Sequence, residues 1–394
     1  QAKGGMKFTD FYAGSTVCAP SRAALMAGQH TGRNYIRGNG EVPLRAQDTI
    51  LPQRLKQQGY VNGMVGKWGL GLQGTDGAPE NKGWDFFTGH LHHVEGHYQQ
   101  GDSIWRIING RSTKVAVPAG SYLNELFTTD ALKFIEQNKK NPFFLYVSFT
   151  LPHAELVVPK KYVTQYQNSD GSSVFGSEKA HPEKRHYGAQ PQPKAAYAAM
   201  VTSMDDYIGM ILQQLQKSGL EKNTIVIFTS DNGTHAEGGR TREDALNVFQ
   251  SSGPLKGIKR DLYEGGIRVP FIVKWPGKIK GAATSHYASA FWDVLPTLSE
   301  AAGVRHVEGD GISFLPTLLQ QPQKEQHEYL YWEFYEGGFK QAVRQGNWKA
   351  IRFYKGTAPD RTELYDLKSD IGEQHNLAST QPGKVKELEA LMDK

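Results

Sequence analysis

Cysteine is nearly missing from this chain of 394 residues: Cys18 stands alone, so no disulfide within the chain can staple the fold. No apolar run approaches the roughly 20 residues that a membrane-spanning helix needs, so no membrane span is expected. Charge of one sign is also scarce, with 45 Lys+Arg against 40 Asp+Glu and a formal net charge of +5. No dense basic run accompanies an aromatic stripe, and nucleic acid is not expected as a partner. Internal repeats and low-complexity tracts are absent from the sequence, which excludes solenoid and collagen-like architectures. The chain opens Gln1-Ala2-Lys3-Gly4 without an initiator Met or a signal segment. It reads as a mature or truncated product, and its start does not reveal the compartment.

What is present suits a large α/β protein. The length is enough to bury a sizeable core, and 43 Gly with 19 Pro imply many loops. Helical spacing and a closing Gly predict a helix over 48–59, followed by a strand over 60–65. A helix over 121–138 leads into an apolar strand at 142–149, and a long amphipathic helix over 195–218 leads into another at 224–230. A third buried strand is predicted at 270–275. This helix-then-strand alternation predicts a mostly parallel central sheet sandwiched by helices. Near residue 320 the pattern changes to period two, with strands at 328–335, 339–343, 348–354 and 362–366 and a closing helix at 384–392. Residues 1–320 therefore read as a catalytic α/β domain, and 321–394 as a small subdomain with a four-stranded antiparallel sheet.

The densest chemistry lies at Cys18-Ala19-Pro20-Ser21-Arg22, which leads into an Ala/Leu/Met helix ending at Gly28. Free N–H groups and the partial positive charge of a helix start favour an anionic substrate at Cys18. Arg22, one turn on, can hold the nucleophile or an oxyanion. The plainer reading is a small buried hydrophobe before an ordinary helix. In Gly66-Lys67-Trp68-Gly69-Leu70-Gly71, glycines flank a lysine after a strand, so an ammonium can approach an anion closely. His153 follows a buried strand, at the edge where open α/β sheets place ligands, and it could protonate a leaving oxygen. Asp231-Asn232 also follow a strand and offer two hard oxygens to a cation such as Ca²⁺ or Mg²⁺. Asp205-Asp206 fall inside the long helix and read as its solvated face. In the segment 253–270, Lys256 and Lys259 compete as an anion ligand, while Glu264 and Arg268 read as a structural ion pair.

Taken in order, these segments resemble the type I sulfatases of the alkaline-phosphatase-like superfamily, and the resemblance runs along nearly the whole chain. It implies a sulfuric ester hydrolase in which Cys18 is converted by a maturation enzyme to formylglycine, whose hydrate attacks sulfur. It further implies Arg22, Lys67, His153 and Lys259 as catalytic residues, and a Ca²⁺ or Mg²⁺ held by Asp231, Asn232 and modified Cys18. Lys259 is favoured over Lys256 because it stands five residues before Glu264, as the family pattern requires. Two departures stand out. Gly69 occupies a position that is His in the family, so His90, His92, His93 or His97 would have to supply that function. The family's Asp-Asp pair on a first strand would lie upstream of Gln1. The implied substrate is a sulfated carbohydrate or aryl sulfate. The aromatic-rich segment 90–98 with Trp105 and Arg106, or the cluster Tyr329, Tyr331, Trp332 and Tyr335, could stack on a sugar. A periplasmic or secreted location is implied. The alternatives are a catalytically impaired, sulfatase-like glycan-binding protein, or a phosphoesterase of the same superfamily.

Overall fold

In the computed structural model, which describes residues 4–184, 187–304 and 307–394, the elements are α-helices and strands arranged in separate sheets. The chain divides into two units. The first comprises residues 1–40, 222–234 and 246–394, and the second comprises 41–221 and 235–245.

The second unit is built on a five-stranded sheet. Its spatial order is Arg111–Tyr122, Gln100–Ile108, Phe86–His90, Val61–Lys67 and Phe143–Ser148. Val61–Lys67 runs parallel to both Phe86–His90 and Phe143–Ser148. The helix Leu123–Asn138 precedes the last of these, as a parallel crossover requires. Side-chain alternation along Val61–Lys67 covers both faces of the sheet. Val65 packs with Phe127 and Ala131 of that helix. Asn62, on the opposite face, donates from Nδ2 to the carbonyl of Pro52 in the helix Leu51–Lys56 at 2.7 Å. The other two strands form an antiparallel hairpin that the apolar pattern did not announce. Asn109 and Gly110 turn it at φ 51° and 74°, the left-handed pair that a two-residue hairpin loop demands.

The first unit holds a mixed sheet in the order Ala283–Ser285, Met6–Phe8, Phe271–Lys274 and Val226–Thr229. The strands anticipated at 224–230 and 270–275 are both present and lie antiparallel to each other. The C-terminal sheet is antiparallel throughout and is formed by Leu330–Phe334, Lys340–Gln345, Trp348–Lys355 and Ala358–Asp366. Period-two alternation gives it two apolar faces. Trp332, Phe334, Ala342, Ile351 and Tyr365 pack with Tyr12, Val17, Ala24 and Trp292. Tyr331, Val343, Ala350 and Leu364 pack against Leu388 and Leu391 of the closing helix Pro382–Met392.

A buried charge cluster ties this sheet to the segments around it. The Glu264 carboxylate is fully buried and meets Lys349 Nζ at 2.9 Å and Arg268 at 2.9 Å, and it accepts the Tyr12 hydroxyl at 2.7 Å. Arg344 donates to Tyr12 Oη and pairs with Asp10 at 2.7 Å. Lys349 also meets Glu373, whose second oxygen accepts the Glu264 backbone N–H at 2.7 Å. The ion pair expected between Glu264 and Arg268 is thus one edge of a larger cluster. Desolvation works to raise the Glu264 pKa, but Lys349, Arg268 and Arg344 overcome it and hold it near 2. Burial pushes Glu373 up to about 7.

Two outcomes are expected. Lys349→Met leaves two buried carboxylates around an absent cation, and should cost about 3–5 kcal/mol in denaturant unfolding. The pH dependence has two arms. The contribution of Glu264 is present above its ordinary value of 4.5 and is lost as pH falls toward 2. Glu373 opposes folding increasingly as pH rises from 4.5 through about 7. Glu373→Gln should therefore flatten stability between pH 5 and 8, measured by urea midpoints. An unchanged slope would contradict this assignment.

Candidate active site

Cys18 is the first residue of the helix Cys18–Ala27 and is buried. The Ala/Leu/Met run drives the helix, and Gly28 closes it in the left-handed conformation (φ 67°) with its N–H on Ala24 O. At the other end the Ala19 N–H, one of the orphan donors of a helix start, is taken by Asn39 Oδ1 at 3.0 Å. Arg22 lies one turn beyond Cys18 and is buried. Its Nε and a terminal nitrogen reach Asp231 Oδ2 at 3.1 and 3.0 Å. Asp231 thereby joins the helix Cys18–Ala27 to the end of the strand Val226–Thr229.

Backbone contacts bring the third segment to the same place. Gly233 approaches so closely that a Cβ there would stand 1.9 Å from the carbonyl oxygen of Gly265, which only glycine permits. The Lys259 N–H donates to Thr234 O at 2.8 Å. The next residue, Arg260, adopts φ 77°, which is rare for a bulky side chain, and donates to Thr16 O at 3.2 Å. Within the first unit, then, Cys18, Arg22, Asp231, Asn232 and Lys259 come from three distant segments joined by direct contacts. Lys259 is buried. The competing Lys256 is engaged elsewhere, with its ammonium 4.1 Å from the Tyr263 ring centre and hydrogen-bonded to Glu373 O.

The donor set suits a hard cation. Asn232 Nδ2 is satisfied by Gly233 O, whereas its Oδ1 is buried and finds no hydrogen-bond donor among the described residues. An orphaned buried carbonyl oxygen next to a carboxylate is what an oxygen-seeking divalent ion would satisfy. Asp205 and Asp206 are exposed on the helix Pro193–Lys217, as expected of a solvated face.

The second unit carries the other basic residues. Lys67 ends its strand and is buried. Gly66 before it takes φ 98°, and a Cβ there would meet Ser148 O at 2.0 Å, so the two parallel strands close up only through glycine. His153 follows the adjacent strand Phe143–Ser148. Its Nδ1 faces Ala154 O at 2.5 Å and its Nε2 faces Glu237 at 3.2 Å. Both partners are acceptors, so both ring nitrogens are placed to donate. The ring stacks on His97 at 4.3 Å, with 9° between planes, and on His235 at 5.3 Å. His235 and Glu237 were not anticipated. Their only sequence signal is that they follow Asp231-Asn232-Gly233 in one loop.

Of the histidines considered as substitutes for position 69, His90 belongs to the core. It is fully buried, edge-on to Phe127, and burial followed by the nearby Lys67 and Lys114 lowers its pKa to about 3. His92 and His93 converge on Glu41, and their nearest ligand atoms lie within 4.8 Å of one another. Val94 N–H donates to His92 Nδ1 at 3.0 Å, which leaves the proton of the neutral ring on Nε2, facing Glu41. That arrangement satisfies Glu41 with N–H donors rather than presenting lone pairs to a metal. The aromatic candidates also divide. Trp332 is buried with Nε1 on Ala13 O, and Tyr331 is buried with its hydroxyl on Glu333, so both serve packing. Tyr335 is exposed. Trp105 donates to Glu95, and Arg106 pairs with Asp130.

Comparison with known proteins agrees along the whole chain. The family profile described as sulfatase matches residues 1–304, and one described as N-sulphoglucosamine sulphohydrolase, C-terminal, matches 258–394. An arylsulfatase of Hemicentrotus pulcherrimus is 31% identical over 370 residues, covering 88% of this chain and 60% of that protein. The N-acetylgalactosamine-6-sulfatase of Mus musculus is 30% identical over 373 residues, covering 88% and 65%. The chain thus spans about three-fifths of the length of these relatives. In fold it is similar to the solved structure of Ps i-CgsB in complex with k-i-k-neocarrahexaose (TM-score 0.77, 23% identity, 100% of this chain and 85% of that one). It is also similar to BT4656 in complex with D-glucosamine-2-N,6-O-disulfate (TM-score 0.75, 21% identity, 100% and 90%). With the Cys18 segment at a helix start, the Asp231-Asn232 turn tied to it and a profile match over three-quarters of its length, the chain belongs to the sulfatase family.

Proposed function

We propose that this protein hydrolyses sulfate monoesters of a sulfated carbohydrate, using a formylglycine made from Cys18 and a divalent metal, Ca²⁺ or Mg²⁺. The observation that carries the reading is the joining of Cys18, Arg22, Asp231 and Lys259 within one unit, at the N-terminal end of the helix Cys18–Ala27. The carbohydrate class is supported by relatives named N-acetylgalactosamine-6-sulfatase and by the sulfated-sugar complex of a structural neighbour.

A sulfate monoester carries one negative charge, and more develops on its oxygens and on the leaving oxygen as the S–O bond breaks. Cations already in place stabilise that charge more than water would. Lys259, buried in the first unit, is assigned to a sulfate oxygen, since a lysine acts as a compact point charge there, and Lys67 of the second unit keeps the catalytic role that the family resemblance implies. Arg22 is assigned to orienting the residue-18 nucleophile while holding Asp231. His153, set by Ala154 O and Glu237, is assigned to giving a proton to the departing oxygen. Asp231 and Asn232 Oδ1 would hold the metal together with residue 18, and the bound ion would supply Lewis-acid stabilisation of negative charge. A hydrated aldehyde at residue 18 would supply a hydroxyl nucleophile together with a second hydroxyl through which sulfate can be expelled, which a thiol lacks. A maturation enzyme in the host and a periplasmic or secreted setting belong to the same proposal.

Three outcomes test it. Intact-peptide mass should show residue 18 about 18 Da lighter than cysteine after co-expression with a maturation enzyme. Cys18→Ala should then lower kcat for 4-nitrophenyl sulfate by on the order of 10³-fold or more, as nucleophile removal does elsewhere. EDTA should abolish turnover, Ca²⁺ or Mg²⁺ should restore it, and Asp231→Ala should weaken calorimetric Ca²⁺ binding by at least about tenfold. Faster turnover of 4-nitrophenyl phosphate than of the sulfate would overturn the assignment in favour of a phosphoesterase. Binding of a sulfated glycan without any turnover by the matured protein would leave a lectin-like role instead.

A further inference from the structure

The hairpin between Leu330–Phe334 and Lys340–Gln345 ends in a tip that the proposed chemistry leaves unused. Its loop reads Tyr335-Glu336-Gly337-Gly338-Phe339, and the two glycines take φ 69° and 106°. That left-handed pair turns the chain back and brings Phe339 against Tyr335. The two rings lie 4.8 Å apart with 27° between planes, and Tyr354 continues the row 4.7 Å from Phe339. Tyr335 is 46% exposed. Its hydroxyl nevertheless donates to Glu333 Oε1 at 2.7 Å, and the buried Glu333 carboxylate also accepts from Arg37 at 2.9 Å and Tyr331 Oη at 3.0 Å. A surface tyrosine ordinarily gives its hydroxyl to water. Here the polar end is fixed on the protein, and the ring is what solvent meets.

Contacts within the first unit hold this tip beside the Cys18 segment from two directions. Arg260 pairs through Nε with Glu336 at 3.1 Å, and Lys340 Nζ donates to Arg260 O at 3.2 Å. Arg260 directly follows Lys259, and its own N–H reaches Thr16 O. From the other direction, Arg37 is held by Gly32 O and Asn34 O and stands two residues before Asn39, whose side chain takes the Ala19 N–H at the helix start.

We propose that Tyr335 and Phe339 form a saccharide subsite that stacks on a pyranose neighbouring the sulfated sugar, so that a longer chain is gripped more tightly than a single sulfated sugar. A pyranose presents an apolar C–H face with a rim of hydroxyls that both donate and accept. The tip answers both features. Its fixed aromatic ring suits the face, and the half-exposed Arg260–Glu336 pair offers N–H donors and carboxylate acceptors to the rim. Because Glu333 already holds Tyr335, little side-chain freedom is lost on binding. This deepens the proposed function and rests on its sulfated-carbohydrate substrate.

Matured enzyme assayed on sulfated tetrasaccharides of chondroitin, heparin and carrageenan, each beside its sulfated monosaccharide, tests the subsite. For the best of them kcat/KM should favour the tetrasaccharide by at least about tenfold. Tyr335→Ala should erase that preference through KM, whereas Tyr335→Phe, which keeps the ring, should retain most of it. A wild-type enzyme without the preference overturns the proposal, as does a folded Tyr335→Ala that keeps it. A loss shared equally by tetrasaccharide and monosaccharide also overturns it, because a merely structural residue would act that way. Calorimetry on the Cys18→Ala protein separates the subsite from hydrolysis. The best-bound tetrasaccharide should bind about tenfold more weakly once Tyr335→Ala is added. Equal affinities, or no tetrasaccharide binding at all, would refute the subsite. So would light scattering that shows a dimer only while Tyr335 is present, which would mark the tip as a contact between copies. An inactive wild-type matured enzyme would defeat the hydrolase reading, and the calorimetry would still decide whether the subsite exists.

Discussion

The Glu264 carboxylate is the constraint on which the first unit depends. It is wholly buried, and a bare charge in that setting would be prohibitive. Lys349, Arg268 and the Tyr12 hydroxyl all reach it, and Arg344 extends the cluster through Tyr12 to Asp10. These groups come from the segment that leads into Cys18, from the loop that follows Lys259, and from two strands of the C-terminal sheet. Satisfying one charge therefore fixes the register of four chain segments at once. Cys18 and Lys259 lie on segments adjoining those that this cluster holds, and backbone contacts such as Arg260 N–H to Thr16 O join them directly.

Glycine does the complementary work where backbones must nearly touch. Gly233 lets the Asp231-Asn232 turn come against Gly265, and Gly66 lets Lys67 end its strand tight against Ser148. At Gly69 the absence of a side chain leaves room next to Lys67 and His93. Most of the ionisable groups named here are buried and matched to a partner of opposite charge or to a carbonyl. Asn232 Oδ1 departs from that pattern, and it is the atom that points to a cation.

Much of this was legible beforehand, for physical reasons. The C-terminal strands announced themselves because each face of that sheet is apolar on alternate residues. The helix Pro193–Lys217 showed its stripe, and the strands ending at Ser148 and Thr229 are continuous apolar runs. The hairpin at 100–122 was missed because its outer residues are polar and its strands carry no long apolar run, although Asn109-Gly110 is a strong turn signal. Tyr331 and Trp332 were weighed as sugar platforms because a sequence does not distinguish an aromatic that packs from one that waits for a ligand.

By itself the sequence determined the local chemistry. It set Cys18 at a helix start, the Asp231-Asn232 oxygen pair at a strand end, Lys67 between glycines and the alternation of the last sheet, because each of these depends on neighbours a few positions away. Tertiary structure alone decided the rest. It gave Arg22 to Asp231, withdrew Lys256 in favour of Tyr263 and Glu373, buried His90, and set His93 on Glu41 beside position 69. Those outcomes depend on which distant backbone segments meet, and on how burial and facing charges then sort one basic residue from another.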